Sequence, residues 1–174
     1  MKKSVPALGA FLLAALLAGC ETTGPRGGGD QGVSVTRFHL GQQIARAEIS
    51  VEPVNPAEAG SPQFAPAAAA VERELTRLGW TVARGNARSE QVAVVRITQG
   101  SREESRGRGG SSVVTELGVR IQRRSDATVA WEGRAQLEAR AGSALADRAA
   151  ALDRLAEALF RDFPGESGRT IRVR

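Results

Sequence analysis

Two consecutive runs in the second half of the chain constrain its fold more than any other feature. Val113, Thr115, Leu117, Val119 and Ile121 alternate with Glu116, Arg120 and Gln122. After Ser125-Asp126-Ala127, a second run places Val129, Trp131, Ala135 and Leu137 in alternation with Thr128, Glu132, Arg134, Gln136 and Glu138. A period of two belongs to a strand with one buried and one wet face. Two such strands predict a hairpin whose apolar side needs a covering layer. Opposite charges on the polar side can pair across the strands, each pair adding at most about 1 kcal/mol.

The covering layer is visible on either side of these runs. Ser61-Pro62 reads as a helix start, Ser as N-cap and Pro at the first helical position. Phe64, Ala68, Val71, Leu75 and Leu78 follow at helical spacing, with Glu72, Arg73, Glu74 and Arg77 on the outer side and Gly79 as the C-terminal cap. A second helix is expected over 147–163, with Leu152, Leu155, Leu159 and Phe163 as its stripe, widened by Ala156 and Phe160. Phe163-Pro164-Gly165 stops it.

The remaining strands are shorter. Arg46–Glu52 alternates, with Ala47, Ile49 and Val51 inward and Ser50 on the wet side; Pro53 and Pro56 end it. VTRFHL, residues 35–40, reads as an edge strand or a lead-in segment. Strands are also expected at 80–83, 92–98 and 169–174, where Ile171 and Val173 keep strand rhythm at a sheet edge. Ser101–Ser112, polar and rich in Gly, reads as a loop. The order predicts an α+β two-layer sandwich: a mainly antiparallel sheet with two amphipathic helices packed on one face.

The N-terminus has a separate character. Lys2 and Lys3 precede an apolar stretch, residues 7–18, too short to span a bilayer comfortably and typical of a signal peptide. It ends Leu17-Ala18-Gly19-Cys20, which resembles the bacterial lipobox. In that class of signals the Cys thiol takes a diacylglycerol and the chain is cut before it. Cys20 is the only cysteine, so no internal disulfide forms. Glu21–Ser34 is Gly-rich and reads as a tether with a mean reach of about 20 Å. The expected organisation is a signal peptide at 1–19, lipidated Cys20 and tether at 20–34, and a folded domain at 35–174. Glu21 stands where Asp favours inner-membrane retention, so the expected location is the periplasmic face of the outer membrane.

Both lysines lie in the leader, so from Cys20 onward 22 arginines face 19 acidic residues. A GC-rich genome accounts for that bias; selection for bidentate anion recognition is the alternative. The charges are interleaved, so no basic stripe of the kind nucleic acid requires is present.

Taken together, the lipobox cysteine, VTRFHL, ISVEPVNP, VERELTRLGW, SDATVAWEGRA and the closing LFRDFPGESGRTIRVR resemble the DUF4136 family of bacterial lipoproteins, over residues 33–174. That domain has no known function, and the resemblance supplies no catalytic residue. Relatives often carry a longer Gly-rich insertion where this chain has GSREESRGRGGSS.

The search for chemistry is short. His39 is the only histidine and sits between Phe38 and Leu40, where a structural or surface role is expected. One His and a lipid-committed Cys make no HxxH or HExxH pair, so no metal and no cofactor are expected. Gly107-Arg108-Gly109-Gly110 lacks the Lys and hydroxyl of a P-loop and leads into a strand. Trp131 is assigned to the core, and Trp80 to packing beneath the first helix. The expectation is a non-enzymatic envelope domain that binds another envelope protein. Its candidate contacts are Arg102, Arg106 and Arg108 in the predicted loop and Arg120, Glu132 and Arg134 on the polar sheet face. A small-ligand carrier with a groove between helices and sheet is the alternative, and a hydrolase with a cryptic carboxylate pair a third.

Overall fold

The alternating segments assemble into one seven-stranded sheet with both helices on the same side. The computed structural model describes residues 32–83, 88–103 and 110–174. Elements follow in the order β1 (Val33–Phe38), β2 (Glu48–Pro53), α1 (Ala65–Arg77), β3 (Thr81–Val82), β4 (Gln91–Glu103), β5 (Ser111–Arg123), β6 (Val129–Arg140), α2 (Arg148–Phe160) and β7 (Thr170–Val173). The sheet order is β3-β2-β4-β5-β6-β1-β7. β2 runs parallel to β3 and β4; every other pairing is antiparallel. This is the expected α+β architecture.

The core fills the space between the sheet's inner face and the helices. Ile49, Val95, Leu117, Val119, Ile121, Trp131, Ala135 and Leu137 come from the strands; Val71, Leu75, Leu152, Leu155, Leu159 and Phe160 come from the helices. Burying each Leu or Ile contributes about 2 kcal/mol before its entropy cost. The rings of Trp131, Phe160 and Phe163 lie 5.1–6.1 Å apart, and Trp80 meets Phe163 edge-on at 5.3 Å. Trp131 donates its indole N–H to Pro164 O at 3.0 Å, so its polar atom is satisfied.

Several expectations need correction. VTRFHL is not at an edge. β1 lies between β6 and β7 because the C-terminal strand returns to cover it, and it takes in Val33 and Ser34, which composition groups with the tether. Ser61–Pro62 starts a turn rather than the helix. Ser61 Oγ accepts from Phe64 N–H at 3.2 Å, and α1 begins at Ala65 with Pro66 in its first turn. Glu74, expected outside, is buried beside Leu75, and Arg77 caps its carboxylate at 2.6 Å. Ser50, expected wet, is buried and shares a 2.9 Å hydrogen bond with Ser89.

Val129 leaves the core side on which the alternation places it and is 42% exposed. Ile121 pairs with Trp131 but Gln122 pairs with Val129, so Ala130 is an extra residue in β6. Such a bulge reverses the side-chain parity behind it. The polar segment 101–112 is not all loop either. β4 runs to Glu103 and β5 starts at Ser111, in an unbroken register from Gln91↔Arg123 to Glu103↔Ser111. Gly79 ends α1 as expected, at φ +97°. α2 is shorter than the expected 147–163: Asp147 stands outside it as the cap, accepting from Ala150 N–H, and the helix stops at Phe160, so Phe163 joins the core from the turn that follows. Among the described residues no helix is long and apolar enough to cross a membrane.

Candidate functional site

Opposite the helices, the sheet turns its second face to solvent. Strand alternation puts Arg102 of β4, Arg120 of β5, and Glu132 and Arg134 of β6 on that face. Arg120 is directly opposite Glu132, and Gly118 opposite Arg134. The Glu132 carboxylate therefore sits between two guanidiniums, 3.4 Å from Arg120 Nε and 3.3 Å from Arg134 Nη2. The absence of a side chain at Gly118 leaves Arg134 open, 63% exposed.

Arg102 does not join this group. Its Nη1 is 3.3 Å from Glu138 Oε2, while Ser112 Oγ donates to Glu138 Oε1 at 2.6 Å. Arg102 pairs in register with Ser112, eight residues along β5 from Arg120, about 27 Å away. The structure thus unites Arg120, Glu132 and Arg134 and separates Arg102 from them. Arg106 and Arg108 lie outside the described residues, as do Cys20, Leu17, Ala18 and Gly19.

Exposed ion pairs of this kind contribute about 0–1 kcal/mol to stability. Their arginines can exchange a Glu partner for an anionic group on another molecule at little cost. The guanidinium fork suits a carboxylate.

A second concavity lies around the outer edge of β2, between β3 and the outer side of α1. Its volume is about 1440 Å³, and Glu48, Glu52, Phe64, Glu72, Trp80 and Arg88 line it. Burial holds the Glu72 carboxyl above its ordinary range. Ala83 lines it as well, and residues 84–87 are outside the described residues. Among the described residues no group of three or more His, Cys, Asp or Glu could hold a metal ion.

His39 has a structural part, as its neighbours suggest. Its Nδ1 accepts from Gly41 N–H at 3.1 Å, so Nε2 carries the proton and donates to Gly165 O at 3.0 Å. Ser167 Oγ accepts from His39 N–H and donates to His39 O, both at 3.1 Å. These bonds pin the 164–168 turn to the end of β1. Sequence reasoning overlooked Arg37, beneath the same turn and 2% exposed. Its Nε donates to Leu159 O at 2.9 Å, and its Nη2 to Ala158 O at 3.0 Å and Arg161 O at 2.9 Å. A strand side chain thereby caps the open carbonyls at the end of α2. Burial lowers the Arg37 pKa from its ordinary value, and the Asp162 charge opposes the drop. The available signal was phase: Arg37 follows Val33 and Val35 in the alternation, which puts it inward.

No family model matches the chain. It is 44% identical over 64 residues to an uncharacterized protein of Zymomonas mobilis, a match covering 37% of this chain and 24% of that protein. A PDZ domain protein from Parabacteroides distasonis aligns with a TM-score of 0.51 at 12% identity, over 80% of this chain and 38% of the other. A minor lipoprotein from Acinetobacter baumannii aligns with a TM-score of 0.46 at 13% identity, over 66% and 89%. The chain thus spans about a quarter of the curated relative it matches, and the Parabacteroides likeness is one of fold alone.

Proposed function

We propose that this protein is a lipid-anchored, non-enzymatic domain of the bacterial envelope. Cys20 holds it to the periplasmic face of the outer membrane, and its outer sheet face docks an acidic segment of another envelope protein. The observation that carries the docking is the triad of Arg120, Glu132 and Arg134, aligned on a solvent-facing sheet surface by cross-strand register. The lipobox and the Gly-rich stretch after it support the anchor. The helix-covered face is committed to the core, which leaves this surface for a partner.

Two outcomes are expected. Cys20→Ser moves the protein from the membrane fraction to the soluble fraction of cell lysates; a variant that still sediments with membranes refutes the anchor. Crosslinking in living cells, followed by mass spectrometry of the tagged protein, recovers one envelope protein at least tenfold less with Arg120→Glu/Arg134→Glu than with the unaltered chain. Equal recovery rules out the face as the contact. The groove beside β2 favours a second reading, carriage of a small ligand near Glu72 and Phe64. A small molecule that leaves the purified protein only on denaturation would establish that reading instead.

A further inference from the structure

Among the described residues the two border strands of the sheet, β3 and β7, are blunted. β3 is two residues long, and β2 beyond it ends in Pro53, which has no N–H to offer. β7 is four residues long and is flanked or occupied by Arg169, Arg172 and Arg174. Charge and short length are the usual protections of an edge. A longer edge lies on β4 after Val95, where β2 departs.

The direction of its backbone groups follows from one bond. Val95 O accepts from Val54 N–H at 3.0 Å, so the N–H and C=O of Val95 point toward β2. Alternation then turns those of Ile97, Gln99, Ser101 and Glu103 to the same side, away from β5. β2 has left the sheet by Val54, and a single 3₁₀ turn follows at Pro56–Glu58. Among the described residues no backbone group pairs with this edge. It is seven residues long, without proline or bulge, and its centre, Thr98-Gln99-Gly100-Ser101, is uncharged.

We propose that the β4 edge Ile97–Glu103 pairs antiparallel with the same edge of a second copy of this chain, about a two-fold axis at Gly100. In this register Ile97 faces Glu103 of the second copy and Gln99 faces its Ser101. All four present outward backbone groups, so both are hydrogen-bonded pairs. Thr98 faces Arg102 and Gly100 faces Gly100. No like charges meet. Sliding the pair by two residues one way puts Arg96 opposite Arg102, and sliding it the other way shortens the ladder. The chain's own charges therefore select this register, in which the edge meets itself about the two-fold axis without a repulsive pair. A two-fold contact closes on itself and stops at a dimer. Glu103 of the second copy then lies beside the notch of about 240 Å³ whose lining includes Val54, Ile97, Arg96 and Glu58, so a charge of each sign stands near it. This inference stands apart from the proposed envelope role.

The test uses single cysteines in the purified full-length chain in detergent under mild oxidation. The unaltered chain, which also carries Cys20, sets the baseline. A Cβ at Gly100 meets nothing within 4 Å, so Gly100→Cys is accommodated. Across the axis the two residues at 100 form a non-hydrogen-bonded pair with Cα atoms about 4.5 Å apart, within disulfide range. The two residues at 98 lie about 13 Å apart, beyond it. Gly100→Cys is expected to yield a species of twice the chain's mass, and Thr98→Cys at least tenfold less. Adding Gln99→Pro, which removes an outward N–H, is expected to cut the Gly100→Cys dimer at least tenfold. A Gly100→Cys chain that stays at the baseline, or equal crosslinking from position 98, overturns the proposal. So does a Gly100→Cys disulfide formed in cells with a different protein.

Discussion

Replacing Arg37 by alanine is expected to destabilise the fold by about 3–5 kcal/mol, because it leaves three carbonyls at the end of α2 without their donor. The reasoning starts at α2. Its last carbonyls have no partner within the helix, and this end of α2 is packed against the sheet rather than open to water. Arg37 reaches them from β1 with three hydrogen bonds of 2.9–3.0 Å, to Ala158, Leu159 and Arg161. Each bond from a charged donor is worth about 1.5–3 kcal/mol, and an orphaned buried carbonyl costs about 1–3 kcal/mol. The desolvation that lowers the Arg37 pKa offsets part of this, so the sum is smaller than its parts. Total stability of a domain this size is about 5–15 kcal/mol, so Arg37→Ala removes a large share of it. Arg37→Met separates causes, because it keeps the buried stem and loses every bond. Urea unfolding followed by circular dichroism measures both variants. Arg37→Met as stable as the parent would mean that packing, not capping, is what Arg37 supplies. Arg161→Ala, which loses an exposed pair with Glu157 and one bond to Arg174 O, is expected to cost no more than about 1 kcal/mol.

How much of this molecule its sequence discloses depends on the range of the interaction. Alternation along 113–138 is local, and the two strands it predicts are present. The helical stripes through Leu75 and Leu155 are local as well, and both helices pack where the stripes require. Arg37 was missed because its reason lies more than 120 residues away, in the end of α2. A charged residue in apolar phase is a signal, but only the fold says which carbonyls it meets. The 101–112 segment misled for a related reason. Its Ser, Gly and Arg content describes side chains in water, whereas the strands there are held by backbone ladders to neighbours that are themselves strands. The candidate site divides the same way. Arg120, Glu132 and Arg134 share parity on adjacent strands and were readable as one group. The distance of Arg102 from them depends on hairpin register, which composition does not encode.

Gly133→Ala is the second substitution with a large expected effect, about 2–3 kcal/mol, although it adds one methyl group to a strand. Gly133 sits on the inner face between Trp131 and Ala135, where alternation calls for an apolar side chain. A Cβ there would stand 2.8 Å from Leu159 Cδ1 and from Trp131 Cζ2. Trp131 is wholly buried, stacked on Phe160 at 5.4 Å and tied to Pro164 O by its indole N–H, so its ring has no room to swing away. Leu159 is fixed by α2, whose C-terminal end Arg37 holds to β1. Cores this dense meet an added methylene with strain of about 1–3 kcal/mol, and here two neighbours must yield at once. Intrinsic strand propensity points the other way, since Gly is the poorer strand former. If propensity governed the site, Gly133→Ala would stabilise the protein. A double-mutant cycle decides between them. Trp131→Leu removes the large ring and is itself expected to cost about 3 kcal/mol, near the scale of other large-to-small core changes. In that background the methyl at position 133 has space, so its cost should fall below about 1 kcal/mol. A cost unchanged by Trp131→Leu would place the clash elsewhere than at the indole and show that Gly133 is not there to admit Trp131.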